Sequence, residues 1–112
     1  MELCSGGAGN DLYQATGKAL PEPMIAYIIR ETTKALCYCH ENAIMHRDIK
    51  AANILFTDQG DVKLTDFGVS CQMATPLEKR KTYIGTPYWV APEIIMVNCL
   101  FKPCVFLSVM RS

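Results

Sequence analysis

The spacing of apolar side chains predicts a long amphipathic helix over residues 21–42. Uncharged side chains recur there every three or four positions, which places them on one face of a helix. Pro23 suits the first helical turn, where its missing N–H breaks no hydrogen bond. Arg30 and Lys34 fall mainly away from that face, so we expect the face to pack into a core. The predicted core face consists of Ile25, Ile28, Ile29, Thr32, Leu36 and Cys39.

A second pattern, further along the chain, predicts a β-hairpin. Residues 54–56 read Ile-Leu-Phe and residues 62–64 read Val-Lys-Leu, with Thr-Asp-Gln-Gly at 57–60 between them. Two short apolar runs that flank a turn containing glycine are typical of paired antiparallel strands. We therefore expect a strand, a turn and a return strand in this stretch.

Composition limits the size and the partners of the protein. The 112 residues allow one domain at most. Half of them are apolar (50%) and 20% are charged, which suits a packed core and argues against disorder. Lys plus Arg and Asp plus Glu each number 11, so no charge bias favours nucleic acid or an anionic membrane. No apolar run approaches the roughly 20 residues that span a bilayer, so we expect neither a nucleic-acid partner nor a membrane span.

The chain has six cysteines, but none forms a C-x-x-C pair. Cys37 and Cys39 are two positions apart on the predicted helix, so their side chains should point in different directions. We interpret the cysteines as reduced, mostly buried thiols of a cytoplasmic protein. Zinc binding or disulfide formation is the alternative.

Three short motifs carry the candidate chemistry. Residues 46–53 read H-R-D-x-K-x-x-N, residues 66–68 read D-F-G and residues 91–93 read A-P-E. An Asp can accept the proton of a hydroxyl, while Asn and Asp offer the hard oxygen ligands that Mg²⁺ prefers. Each acidic or amide residue alone could be an ordinary turn residue. Their ordered occurrence, with strand and turn patterns between them, favours a shared functional site.

This ordered set resembles the signature motifs of protein kinases. The segments MHRDIKAANIL, GDVKLTDFGVS and KRKTYIGTPYWVAPEI resemble the sterile-20-like group, and within it the germinal centre kinase branch, the MAP kinase kinase kinase kinases. The resemblance implies a serine/threonine kinase of the MAP kinase cascade that uses ATP and Mg²⁺. Its partners would be protein substrates with Ser or Thr acceptors, and an upstream or trans-acting kinase.

The resemblance also implies an α+β fold: a partial kinase large lobe, mainly helical, with a short β-hairpin after the catalytic loop. Residues 1–95 would form the partial kinase domain and residues 96–112 a divergent apolar tail. The small lobe, with its Gly-rich loop and lysine, and the later large-lobe helices are not in the sequence. We therefore expect little or no activity from the chain alone. The alternatives are a non-catalytic binding or competitor module, or a fragment that does not fold stably.

The resemblance assigns individual roles as well. His46 would be structural and would bond the backbone near Asp66. The segment 1–13 would be the hinge, where the adenine edge meets backbone groups, and the start of the following helix. The Ser-Gly-Gly-Ala-Gly run within it could also be a flexible linker. The catalytic residues would be Asp48 as base, Lys50 for transition-state charge, and Asn53; a solvated surface lysine is the alternative for Lys50. The nucleotide would contact Glu2, Cys4, Leu55 and Asp66, and the metal Asn53 and Asp66. The regulatory residues would be Arg47, Thr82 and Thr86. Thr82 would be the phosphorylation site, with Arg47 binding its phosphate, or else an unmodified loop threonine. Thr86 would bond Asp48 and Lys50.

Overall fold

A computed structural model of the protein describes residues 2–72 and 86–92. Within these residues the chain forms two α-helices, four short strands and two 3₁₀ turns, so the expected α+β class is confirmed. None of these helices is long and apolar enough to cross a membrane. The elements are α1 (Gly9–Thr16), α2 (Glu22–Glu41), β1 (Ile44–Met45), β2 (Ile54–Phe56), β3 (Val62–Leu64), β4 (Cys71–Gln72) and the 3₁₀ turns Ala51–Asn53 and Pro87–Trp89.

The described residues form two compact units. We call residues 2–35 and 51–65 the hairpin unit, and residues 36–50, 66–72 and 86–92 the loop unit. The predicted phosphorylation site Thr82 and the predicted tail over 96–112 lie outside the described residues. The expected division of the chain at residue 95 stays a prediction.

The long helix α2 matches its predicted limits to within one residue at each end. Its buried side chains are Thr32, Leu36 and Cys39, whereas Ile28 and Ile29 are half-buried. The prediction that Ile25 belongs to the core is wrong, because this residue is 41% exposed. Helical spacing identifies a face, but it does not indicate which part of that face is covered.

The cysteines of the described residues are free thiols. Only Cys39 among the described cysteines Cys4, Cys37, Cys39 and Cys71 is buried, so the expectation of mostly buried thiols is wrong for these residues. Cys37 is exposed, which agrees with the prediction that Cys37 and Cys39 point in different directions. Burial raises the pKa of the Cys39 thiol, so this sulfur stays protonated and unreactive at neutral pH.

In the hairpin unit, β2 and β3 form the predicted antiparallel hairpin, with Ile54 opposite Leu64 and Phe56 opposite Val62. The turn is closed where the Gly60 amide donates to the Thr57 carbonyl at 3.1 Å. Gly60 has a φ of 87°, in the left-handed region where glycine carries no steric penalty.

The glycine-rich segment before α1 pairs with β2 and is not a flexible linker. The Gly6 amide donates to the Phe56 carbonyl, and the Phe56 amide donates to the Gly7 carbonyl, both at 2.9 Å. A Cβ at Gly6 would lie 2.8 Å from the carbonyl oxygens of Phe56 and Thr57, so only glycine fits there. Close backbone pairing therefore explains this glycine.

In the loop unit, β1 and β4 pair in an antiparallel ladder that the sequence analysis did not predict. Ile44 lies opposite Gln72, Met45 lies opposite Cys71, and the Gln72 side chain donates to the Asn42 carbonyl at 3.0 Å. Both strands have only two residues, too short to show an alternating pattern. The pairing places the segment after β1 beside the segment before β4, and both segments carry predicted site residues.

Candidate active site

His46, the first residue after β1, anchors the candidate site. Its side chain has no exposed surface, and its ring meets the edge of Phe67 with centroids 4.7 Å apart. Its Nδ1 accepts a hydrogen bond from the Asp48 amide at 3.3 Å. These contacts give His46 a structural place, in keeping with the sequence interpretation. The expected bond to backbone near Asp66 stays a prediction.

Asp48, Lys50 and Thr86 form a compact polar cluster in the loop unit. The Thr86 hydroxyl donates to Asp48 Oδ1 at 2.6 Å, and the Thr86 amide donates to the same oxygen at 3.1 Å. Lys50 Nζ lies 2.9 Å from Asp48 Oδ2 and donates to the Thr86 hydroxyl at 2.8 Å. Thr86 therefore contacts both residues, as expected from the sequence. The Lys50 side chain is paired and only 21% exposed, which argues against the alternative of a solvated surface lysine.

The backbone explains why the Thr86 hydroxyl is available to this cluster. Thr86 occupies the N-cap position of the 3₁₀ turn Pro87–Trp89, with an extended φ of −82°. An N-cap threonine commonly uses its oxygen to accept from the following turn. Here the side chain makes no such capping bond, and its hydroxyl instead links Asp48 to Lys50.

Opposing effects act on the Asp48 carboxyl. Partial burial raises its pKa, because removal from water disfavours the charged form. The hydrogen bonds from Lys50 and from the Thr86 hydroxyl and amide, together with the Lys50 charge, outweigh burial and lower the pKa to about 2. The carboxylate, whose side chain is 10% exposed, is therefore ionised at neutral pH and acts only as a hydrogen-bond acceptor.

Arg47 contacts the segment that follows the D-F-G motif. Its Nε donates to the Val69 carbonyl at 2.6 Å. Its backbone has a φ of 71°, in the left-handed region that non-glycine residues rarely occupy. The resemblance predicted a phosphate contact for Arg47. The bond to the Val69 carbonyl was not predicted, because a backbone acceptor has no side-chain signature.

Asp66 begins a tight turn and is exposed. Its Oδ1 accepts from the Gly68 amide at 3.3 Å, and its φ is 61°. Left-handed non-glycine residues persist where surrounding structure holds them, and they concentrate at functional sites. The turn presents a carboxylate to solvent, where it could bind a cation.

Asn53 belongs to the hairpin unit. It ends the 3₁₀ turn Ala51–Asn53, its side chain is buried, and its carbonyl accepts from the Thr65 amide at 3.0 Å. Within the described residues, no group of three or more His, Cys, Asp and Glu side chains could hold a metal. A site of one or two protein oxygens completed by nucleotide phosphates is common for Mg²⁺, and the donor types of Asn53 and Asp66 fit that chemistry.

The three remaining predicted nucleotide contacts lie in the hairpin unit. Cys4 and Leu55 are half-buried, and Leu55 forms an antiparallel bridge with Ala8. Glu2 is exposed, and its Oε2 lies 3.3 Å from Lys63 Nζ. Lys63, which lies opposite Leu55 in the hairpin, was not singled out from the sequence. The structure thus pairs the predicted hinge segment with β2, the strand that contains Leu55.

Comparison with known proteins identifies the family. The protein kinase domain model matches residues 1–104. The chain is 57% identical over 98 residues to mitogen-activated protein kinase kinase kinase kinase 3 of Rattus norvegicus, covering 88% of this chain and 11% of that protein. It is 54% identical over 98 residues to serine/threonine-protein kinase 1 of Arabidopsis thaliana, covering 88% of this chain and 12% of the relative.

The chain therefore belongs to the protein kinase family. The expected resemblance to serine/threonine kinases of the MAP kinase kinase kinase kinase branch is confirmed. The chain spans between 11% and 12% of the length of these relatives.

Proposed function

We propose that the described residues are part of the large lobe of a kinase that transfers phosphate from ATP to Ser and Thr hydroxyls of proteins. The cluster of Asp48, Lys50 and Thr86 carries this proposal. Phosphoryl transfer depends mainly on positioning and on neutralising charge. A partly buried carboxylate held by two hydrogen-bond donors of Thr86, with the Lys50 ammonium beside it, supplies both requirements.

Asp48 orients the acceptor hydroxyl. With a pKa of about 2, its carboxylate is a weak base towards a free alcohol. It accepts the hydrogen bond of that alcohol in the ground state and takes the proton only as the new phosphorus–oxygen bond lowers the pKa of the hydroxyl. The role of Asp48 is therefore alignment first and proton acceptance late in the reaction.

Lys50 stabilises the charge that develops on the transferred phosphoryl group. Its Nζ is fixed between two oxygens, Asp48 Oδ2 and Thr86 Oγ1, so it needs little reorganisation to act. Thr86 contacts both Asp48 and Lys50 and so holds them in position. On the family resemblance, a threonine at this place favours Ser or Thr as the acceptor.

ATP and Mg²⁺ are the proposed cofactors. Mg²⁺, when bound, would supply positive charge that offsets the negative charge of the nucleotide phosphates. We assign Asp66 and Asn53 as its protein ligands on the family resemblance and on their oxygen donors. The adenine edge would meet backbone groups of Glu2 and Cys4, while Leu55 would offer apolar contact to the ring; all three residues lie in the hairpin unit.

The regulation, cellular location and pathway of the protein are proposed on the family resemblance. An upstream or trans-acting kinase would phosphorylate Thr82, and Arg47 would bind the phosphate. The protein would act in the cytoplasm on protein substrates in a MAP kinase cascade.

The test is phosphate incorporation into Ser, Thr and Tyr versions of one peptide, with magnesium-ATP and the full-length protein. We expect transfer to Ser and Thr only, and Asp48→Asn should reduce it by roughly 10²–10⁴-fold, the range for loss of a general base. Asp58→Asn, in the exposed hairpin turn, is the matched control and should keep full activity. Transfer that survives Asp48→Asn, or that favours Tyr, would contradict the proposal. The same assay on the 112 residues alone tests the expectation that they transfer little or no phosphate.

A second candidate is a binding or competitor module that docks substrates through residues 85–89. The exposure of Tyr88, at 91%, favours it, because large aromatic side chains commonly anchor interfaces. Co-precipitation of a substrate that persists in Asp48→Asn but is lost when Thr86 or Trp89 is changed would support this candidate. Loss of binding in Asp48→Asn would contradict it.

A further inference from the structure

The contact between Arg47 and Val69 joins two stretches that are 22 residues apart in the loop unit. The bond is 2.6 Å long and partly buried, and its donor is a charged guanidinium. Charge-assisted hydrogen bonds of this kind are stronger than bonds between neutral groups. Arg47 makes the bond from a left-handed backbone, with a φ of 71°, which an arginine rarely adopts. The surrounding structure must therefore favour this arrangement.

Val69 belongs to the tight turn that starts at Asp66. The Asp66 carboxylate accepts from the Gly68 amide at 3.3 Å. The Phe67 carbonyl accepts from Ser70 twice, from its amide at 3.0 Å and from its hydroxyl at 2.7 Å. Because the turn is bonded on both sides of Val69, fixing the Val69 carbonyl also fixes the direction of Asp66.

We propose that Arg47 is a positioning residue, which holds Asp66 in place through the Val69 carbonyl before any phosphate is bound. The inference rests on the proposed function, in which Asp66 is a magnesium ligand. The bond uses one of the five N–H donors of the guanidinium. Positioning through Nε is thus compatible with a separate phosphate contact through the terminal nitrogens. Arg47 therefore acts on the metal ligand even in the unphosphorylated protein.

Two substitutions separate the hydrogen bond from the charge. In Arg47→Gln, the side-chain nitrogen is as many bonds from the backbone as Nε, so the donor is kept while the charge is lost. In Arg47→Met, the side chain has nearly the same length and shape as that of Gln, but it has no hydrogen-bond donor. A difference between the two variants therefore reports on the bond to Val69, and phosphate binding should be lost in both.

The first measurement is amide hydrogen exchange over residues 68–72 in the full-length protein. We expect Arg47→Met to speed exchange by about tenfold, the effect of losing one charge-assisted bond, because these amides open locally when the turn is released. Arg47→Gln should stay within about threefold of the parent. Equal exchange in both variants, or no change in either, would overturn the inference.

The second measurement is ADP affinity by calorimetry, with Mg²⁺ and with EDTA. We expect equal affinity for all forms in EDTA, and about tenfold weaker binding of Arg47→Met in Mg²⁺, with Arg47→Gln near the parent. If Arg47→Met speeds amide exchange but does not weaken ADP binding in Mg²⁺, Arg47 has only a structural role and the positioning claim is overturned. Absence of ADP binding in every form, including the parent, would instead contradict the proposed function, while exchange would still decide whether the Arg47–Val69 bond holds the turn.

Discussion

The hairpin unit and the loop unit differ in which residue types adopt the left-handed backbone conformation. In the hairpin unit the positive φ angles belong to Gly7, Gly17 and Gly60, at 79°, 61° and 87°. In the described part of the loop unit, they belong to Ala43, Arg47 and Asp66, at 57°, 71° and 61°. A non-glycine residue in this conformation costs roughly 1–2 kcal/mol, so the loop unit carries strain that the hairpin unit avoids.

Arg47 and Asp66 explain why the strain is retained. Both are predicted site residues, and each uses its side chain, Arg47 to bind the Val69 carbonyl and Asp66 to accept from Gly68. A glycine would relax the backbone but would remove those contacts. Strain of this kind is typical of functional sites. The hairpin unit, in contrast, positions its candidate nucleotide contacts mainly by backbone pairing between the glycine-rich segment and β2.

The comparison predicts that the loop unit depends on single side-chain atoms, and Thr86 is the sharpest test. Thr86→Val keeps the shape but removes the hydroxyl that donates to Asp48 and accepts from Lys50. Bonds to charged groups contribute about 1.5–3 kcal/mol each, so we expect phosphate transfer to fall by roughly 10- to 100-fold. Thr86→Ser keeps the hydroxyl and should remain within about threefold in the same peptide assay. Comparable activity of the Val and Ser variants would show that the hydroxyl is not needed.

A second prediction follows from the lowered pKa of Asp48. Its folded pKa of about 2 lies below the ordinary value of about 3.9. The carboxylate therefore stabilises the fold above about pH 4, and this contribution, roughly 2 kcal/mol, is lost as the pH falls from about 4 to about 2. We expect urea unfolding of the full-length protein to show this loss. Lys50→Met should reduce it, because the Lys50 side chain lowers the pKa of Asp48 more than either Thr86 contact does.

The control for this acid dependence is Asp48→Asn, which removes the titrating group altogether. Its free energy of unfolding should lack the Asp48 contribution between about pH 4 and pH 2. If the parent and Asp48→Asn lose equal stability over that range, other carboxyl groups dominate and the assignment to Asp48 is wrong.

Much of the fold followed from the sequence where the pattern was long or bounded by clear turn residues. Helix α2 and the β2–β3 hairpin were predicted from spacing and from the turn glycine at Gly60. The β1–β4 ladder was not, because two-residue strands carry no periodicity. The exposure of Ile25 was missed for a related reason: spacing defines a face, while burial depends on which elements reach it.

In the candidate site, too, some contacts could be predicted from the sequence and others could not. The contacts of Thr86 with Asp48 and Lys50 were expected from the motif resemblance, and the structure contains them. The Val69 carbonyl could not be predicted, since every residue has a carbonyl and only the path of the chain brings this one to Arg47. The lowered pKa of Asp48 likewise could not be predicted from the sequence, because it results from opposing effects of burial and hydrogen bonding.

The smallest expected effect concerns the left-handed positions that lie outside the candidate site, where backbone strain can be measured without a change in site chemistry. A Cβ added at Gly60 meets nothing within 4 Å, so Gly60→Ala should destabilise by about 1–2 kcal/mol through its positive φ alone. Gly17→Ala, with equally open surroundings, is the matched control and should lose a similar amount. Ala43→Gly should gain about 0.5–1 kcal/mol, less than the relieved strain, because glycine also adds entropy to the unfolded chain. Urea denaturation midpoints of the full-length protein measure all three, and a loss of stability in Ala43→Gly would mean that the Ala43 methyl group contributes more by packing than its backbone strain costs.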